Sequence, residues 1–210
     1  MQIDVGDKGF AIWLLGDSNP GNWQDVLVTP LDPRHPARHN IWTPVLDVIQ
    51  DSVFRKHRSR VDTSAIYIRN AIEDPTNRPP DNTLSWNAGL EQKVEGLRQL
   101  IYQYRPILLL CFGAFSFEFA RRALMQKPEQ PFGYWGAKTL GEEFRQRIDN
   151  FDSKAINALP LLHTSISRGR FIESHNYFCE QEGGNYFEFA GNRIADKLLQ
   201  YRGELRIWID

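Results

Sequence analysis

Cysteine is scarce in this chain, and its scarcity excludes two classes of protein. Cys111 and Cys179 are the only two cysteines among 210 residues. Two are too few for a disulfide framework or a cysteine-based metal cluster. His35 and His39 lack a third ligand nearby and are separated by Pro36, so they predict no zinc site. We therefore expect a cytoplasmic protein without a metal or another cofactor.

Long apolar runs and an excess of positive charge are also missing. No stretch approaches the roughly 20 apolar residues of a membrane-spanning helix, and the first residues lack the pattern of a signal peptide. The net charge of −1 provides no global positive field, so binding to nucleic acid would need a local basic face. With 41% hydrophobic residues, the chain suits one domain, residues 1–210, which we expect to be monomeric.

Four short apolar runs predict β-strands. They are Phe10–Leu15, Ala65–Ile68, Ile107–Phe112 and Ala158–Leu162. The first three are almost continuously apolar, which is typical of parallel strands that are buried on both faces. The fourth contains Pro160, which favours an edge strand or a strand end because proline cannot donate a backbone hydrogen bond.

Helical patterns alternate with these runs. One begins at Thr43-Pro44, and others cover Leu90–Tyr104, Ser116–Met125 and Asn185–Tyr201. This alternation predicts an α/β fold, a three-layer α/β/α sandwich around a central four-stranded parallel sheet. Ligands bind beyond the carboxyl ends of the strands in such sheets, so the loops that follow the strands form the candidate site.

Polar segments follow the first, second and fourth predicted strands, and Gly113-Ala114 follows the third. The segment Gly16-Asp17-Ser18-Asn19-Pro20-Gly21 has more turn-forming residues than a turn requires, and no Lys-Ser or Lys-Thr pair follows it as in a P-loop. Asn70 follows the second run, and His163 follows the fourth. Each also has an ordinary interpretation as a turn, a local cap or a buried histidine. Parallel strands would nevertheless bring all three segments to one edge of the sheet.

In their order along the chain, these motifs resemble those of the uracil-DNA glycosylase superfamily, most of all its mismatch-specific and single-strand-selective branches. Ser18-Asn19-Pro20-Gly21 is similar to the first motif, with one residue more after Gly16 than those branches have. Asn70 stands where the family has an Asn that reads the pyrimidine edge. Asn77-Arg78-Pro79-Pro80 is similar to a loop of the thermophilic-type members. His163-Thr164-Ser165 stands where the family has His-Pro-Ser, whereas residues 126–154 resemble no family motif.

The resemblance implies a DNA glycosylase that hydrolyses the N-glycosidic bond of uracil or a related damaged or mismatched base in DNA. His163 would donate to the base oxygen, and Asn70 and Trp23 would bind the base. Two residues could handle the attacking water: Asp17 could act as a base, and Asn19 could orient the water. The position of Asn19 directly before Pro-Gly favours Asn19. Asp17 is the stronger alternative chemically, because it carries a charge. The DNA-binding residues would be Ser165, Ile166, Arg168 and Arg170, with Ile166 as a wedge.

Two alternatives to a DNA glycosylase remain open. The first is a hydrolase of free nucleosides or nucleotides, which the modest net charge favours. The second is a non-catalytic member of the superfamily that binds nucleic acid or nucleotide, which the unusual spacing of the first motif favours. The basic segment after His163 favours DNA over a free nucleoside.

Overall fold

A central five-stranded, mostly parallel sheet organises this α/β protein. The computed structural model describes residues 4–19, 28–35, 38–163 and 171–209. Its strands are β1 (Asp4–Val5), β2 (Ile12–Gly16), β3 (Arg60–Val61), β4 (Tyr67–Asn70), β5 (Leu108–Phe112), β6 (Asn157–Leu161) and β7 (Trp208–Ile209). The order in the central sheet is β1-β4-β2-β5-β6, and β3 pairs with β7 in a separate sheet.

The four predicted strands are confirmed, and they pair in parallel. β2 lies between β4 and β5, and β5 also pairs with β6. The prediction of a four-stranded sheet is wrong in the number of strands, because β1 adds a fifth that pairs antiparallel with β4. A strand of two residues is too short to produce a recognisable apolar pattern. Pro160 lies in β6, an edge strand, as its missing N–H favours.

The described residues also form six α-helices. They are α1 (Thr43–His57), α2 (Ala88–Tyr104), α3 (Ala114–Ala123), α4 (Ala137–Asp149), α5 (Phe171–Cys179) and α6 (Tyr186–Gln200). Pro44 lies in the first turn of α1, where its missing N–H costs nothing. The side chain of Asn87 accepts a hydrogen bond from the backbone N–H of Leu90 and so caps α2. The four predicted helices are thus confirmed, whereas α4 and α5 were not predicted.

The core lies against the sheet. Every residue of β2 and β5 is buried, which explains their continuous apolar sequences. Helices α1 and α6 pack against each other, and α3 and α4 pack against β6. Because the four long strands are parallel, their carboxyl ends all lie at one edge of the sheet. The segments that begin at Asp17, Ala71, Gly113 and Leu162 therefore start at this edge.

Candidate functional site

A cleft of about 240 Å³ lies at the carboxyl ends of β2, β5 and β6. Each of these strands contributes to it through the residues that follow the strand, and the beginnings of α3 and α4 complete it. The described residues that line it are Asp17, Arg78, Gly113, Ala114, Trp135, Ala137, Leu140, Leu162, His163 and Ser174. Its volume suits one nucleobase or nucleoside better than a large ligand, since pockets for drug-sized molecules begin at roughly 300 Å³.

Asp17 is a buried carboxylate in the wall of this cleft, with 8% of its surface exposed. Its Oδ1 accepts a hydrogen bond from the backbone N–H of Ser116 at 3.1 Å, in the first turn of α3. Its Oδ2 lies 3.2 Å from Nη1 of Arg78. Burial raises the pKa of Asp17 above its ordinary value of 3.8, although His163, Arg78 and Ser116 each act to lower it. The raised pKa makes this carboxylate a stronger base than an ordinary aspartate.

The side chains of Asp17 and His163 both lie next to Gly113. Its φ of +110° lies in a region that favours glycine. A Cβ atom on Gly113 would lie 3.0 Å from Cβ of His163 and 3.5 Å from Oδ1 of Asp17. The two side chains therefore flank a single backbone position at the end of β5. A residue larger than glycine would be strained at this φ and would press against Cβ of His163.

Asn19 and Asn70 form a second polar pair at the ends of β2 and β4. Nδ2 of Asn70 donates a hydrogen bond to Oδ1 of Asn19, and both residues are buried. Gly16 makes room for this pair, because a Cβ atom there would lie 2.5 Å from Oδ1 of Asn70. Neither asparagine is among the residues that line the cleft. The bond engages the carbonyl oxygen with which Asn19 would orient water, so the geometry favours Asp17 over Asn19 for that role.

The structure therefore brings the predicted residues together in two pairs. Asp17 and His163 flank Gly113 in the cleft, and Asn19 and Asn70 bond to each other. The remaining predicted residues lie outside the described part of the chain. These are Trp23, Ser165, Ile166, Arg168 and Arg170.

Two residues of the cleft were missed by the sequence analysis. Arg78 lies in the proline-rich loop that follows β4, and its similarity to a family loop was the single signal that pointed to it. Trp135 lies within residues 126–154, where no motif was recognised. Its indole Nε1 donates to Oε2 of Glu118 at 2.8 Å, which fixes the ring in the wall of the cleft. A contact of this kind depends on tertiary structure and leaves no sequence motif.

Glu118 is the centre of a buried ionic cluster that supports this wall. Its side chain is fully buried and accepts hydrogen bonds from Arg121 at 2.7 Å and from Arg122 at 3.2 Å. The backbone N–H of Gln130 also donates to it, at 2.9 Å. Arg122 in turn lies 3.7 Å from the centre of the Trp86 ring. Through these bonds α3 holds the segment that contains Trp135.

Within residues 4–19, 28–35, 38–163 and 171–209, no three His, Cys, Asp or Glu side chains are grouped to hold a metal ion. Over the same ranges, no helix is long and apolar enough to span a membrane.

No protein-family model matches the chain, and no curated protein matches its sequence. The chemistry of the cleft is therefore the basis for assigning a function.

Proposed function

We propose that this protein is a DNA glycosylase that hydrolyses the N-glycosidic bond of uracil or a related damaged or mismatched base. The observation that carries this proposal is the buried carboxylate of Asp17 beside His163 at Gly113, in a cleft of about 240 Å³. A carboxylate and an imidazole side by side in the wall of a nucleoside-sized cleft are the groups that this reaction needs.

Each of the two side chains has a defined task in the reaction. When the C1′–N bond breaks, its electron pair leaves with the base and the sugar becomes cationic. The negative charge of Asp17 stabilises that cation, and the carboxylate takes a proton from the water that attacks C1′. His163 donates a hydrogen bond to the oxygen of the departing base anion. The products are the free base and an abasic sugar.

The size of the cleft bears on how DNA would enter it. A duplex cannot fit into a space for one nucleoside, so the target nucleotide must rotate out of the base stack, at a cost of a few kcal/mol. Trp135 provides an aromatic wall beside Asp17 and His163, against which a base can pack. A flipped-out nucleotide is therefore the form of substrate that we propose.

The proposed fold is the three-layer α/β/α sandwich of the uracil-DNA glycosylase superfamily, as one domain. One face is supported by Leu46 of α1 and Leu198 of α6, which meet Leu110 of β5 around a small internal cavity. The other is supported by Tyr104 of α2, whose ring centre lies 6.4 Å from that of Trp13 of β2. Leu110 and Trp13 belong to opposite faces of the sheet, because Trp13 lies beside Leu109.

The test of the proposed function is release of free base. The wild-type protein would be incubated with oligonucleotides that contain one uracil, one thymine mismatch or one hypoxanthine, in single-stranded and double-stranded form. We expect free base and an abasic site from at least one of them, and far less from the isosteric variant Asp17→Asn. Release from free nucleosides alone would favour a nucleoside hydrolase. Binding of DNA without any release would favour a non-catalytic binding protein.

A further inference from the structure

Arg78 presents a partly exposed guanidinium group to the cleft. Its side chain is 42% exposed and lines the cleft beside Asp17. The guanidinium carbon lies 4.5 Å from the centre of the Phe132 ring and 5.8 Å from that of Phe115. Stacking on two aromatic rings limits where the group can move. Arg78 is therefore held at the cleft by more than its ion pair with Asp17.

The loop that bears Arg78 is also anchored. Its Asp81 carbonyl accepts a hydrogen bond from the backbone N–H of Gly133 at 2.8 Å. Its Leu84 carbonyl accepts one from Arg122 at 2.7 Å. Pro79 and Pro80 restrict the backbone directly after Arg78. The guanidinium is thus preorganised against the cleft.

Among the described residues, Asp17 engages only part of the hydrogen-bonding capacity of this guanidinium. Within the described part of the chain, the one side-chain hydrogen bond of Arg78 is that from Nη1 to Oδ2 of Asp17, at 3.2 Å. A guanidinium has several further N–H donors in a planar fork, and this fork matches two oxygens of a phosphate group. Asp17 offers it a single oxygen, because its Oδ1 is bonded to the backbone of α3.

We propose that Arg78 exchanges Asp17 for a phosphate group of the substrate, so that the cleft accepts phosphate-bearing nucleotides in preference to free nucleosides. This inference depends on the proposed function, since it concerns the same cleft. In the free protein, Arg78 covers the carboxylate oxygen that water must approach. A substrate phosphate takes up the N–H donors of Arg78 while the guanidinium stays against Phe132 and Phe115, and so leaves Oδ2 of Asp17 open.

The exchange would also make Asp17 a stronger base when the substrate is bound. Arg78 is one of the groups that lower the pKa of Asp17, whose burial raises it. Loss of the contact between Arg78 and Asp17, together with the arrival of a negative phosphate, would raise that pKa further. A free nucleoside has no phosphate and would leave the ion pair in place.

Binding measurements with stable ligands test this exchange without any need for catalysis. Thymidine, thymidine 3′,5′-bisphosphate and a thymidine trinucleotide would be titrated into the protein by calorimetry. We expect the bisphosphate or the trinucleotide to bind at least about tenfold more tightly than thymidine, the scale of a charge-assisted hydrogen bond. A preference for the trinucleotide identifies the phosphate as that of a nucleic acid, and a preference for the bisphosphate as that of a free nucleotide.

Variants of Arg78 assign this preference to the residue. Arg78→Gln should reduce it to within about twofold, and Arg78→Lys should retain part of it, because lysine keeps the charge without the fork. Arg193→Gln is the matched control: Arg193 is 39% exposed, pairs with Asp149 and does not line the cleft.

An NMR titration of the Asp17 carboxyl in the wild-type protein needs no variant at all. The bisphosphate should raise the pKa of Asp17, and thymidine should not. Equal affinity for thymidine and the phosphorylated ligands would overturn the inference. An unchanged preference in Arg78→Gln, or no binding of the phosphorylated ligands at millimolar concentration, would overturn it as well. If the protein releases base from DNA but shows no preference for phosphorylated ligands, this inference is wrong and the proposed function stands. If it prefers phosphorylated ligands but releases no base, the proposed glycosylase function is wrong.

Discussion

At the scale of single residues, Asp17 is a charge in a place that would favour a neutral side chain. It is buried at the end of β2, and the hydrogen bond from Ser116 and the ion pair with Arg78 offset only part of the cost of burial. Asparagine has the same shape and could accept the same bond from Ser116. Burying this carboxylate costs folding free energy, so its presence in a cleft points to a role in catalysis and not in stability.

We predict that Asp17→Asn stabilises the protein at pH 7. Well below pH 3.8, the ordinary pKa, the carboxyl is protonated in both the folded and the unfolded state. As the pH rises above 3.8, the unfolded chain loses this proton before the folded protein does, because burial raises the pKa in the folded state. The free energy of unfolding of the wild type therefore falls as the pH rises. Asparagine cannot ionise and avoids this loss. Urea unfolding should therefore show a larger advantage of the variant at pH 7 than at pH 3.

The opposite result would have a clear meaning. If Asp17→Asn were less stable than the wild type at pH 7, the ion pair with Arg78 would outweigh the cost of burying the carboxylate. Asp17 would then be explained by stability, and the case for its role in catalysis would weaken.

The roles of His163, Asp17 and Asn19 can be distinguished by the effect of each substitution on turnover. His163 acts mainly on the departing base anion, so His163→Ala should lower kcat by about 10²–10³-fold with little change in oligonucleotide affinity. Single-turnover base release and fluorescence anisotropy measure the two quantities. Asp17→Asn should cost more than Asn19→Ala, because Asp17 faces the cleft. A larger loss with Asn19→Ala would assign the water to Asn19.

At the scale of secondary-structure elements, α3 connects the sheet to the cleft. Its first turn donates to Asp17 through Ser116, and its middle holds Glu118 with Arg121 and Arg122. Glu118 is fully buried, and both arginines are almost so. Removal of one member of a buried ionic cluster leaves the others as uncompensated charges. The helix therefore depends on Glu118 much more than on an exposed acid.

We predict that Glu118→Ala destabilises the protein by about 3–5 kcal/mol. Glu91→Ala is the control, since Glu91 also pairs with Arg122, at 3.4 Å, but is largely exposed; its loss should cost about 0–1 kcal/mol. Denaturant unfolding of the two variants under identical conditions gives both values. Similar losses for both would show that the cluster around Glu118 is not the anchor of this region.

The elements differ in how far the sequence predicts them. β2 and β5 were predictable because strands buried on both faces need continuous apolar sequences. Helix α4 was missed although Leu140, Phe144 and Ile148 recur at helical spacing, since Gly136 precedes it without a side-chain cap. The pairing of Asp17 with Arg78 could not be predicted, because it joins two loops far apart in sequence. The roles of the site residues remain predictions.

At the scale of the whole molecule, the net charge of −1 makes binding to nucleic acid depend on local groups. The basic segment after His163 lies outside the described residues, so its role remains a prediction. We expect Arg168→Ala and Arg170→Ala to weaken oligonucleotide binding and to flatten its dependence on salt by about one unit of slope per lost phosphate contact. Arg55→Ala, at an exposed arginine paired with Asp51, is the control. Unchanged affinity and slope would favour a free nucleoside or no nucleic acid.

The strand order also governs when the protein can assemble during its synthesis. β2 forms near the start of the chain, yet both of its hydrogen-bonded neighbours come later, and Leu14 lies opposite Leu110. The interior of the sheet is therefore completed only after β5 has been synthesised. Such distant pairing slows folding and leaves apolar segments exposed in the meantime. The segment Ile12–Gly16 is thus synthesised before both of its partners and must wait for them with its apolar side chains unpaired.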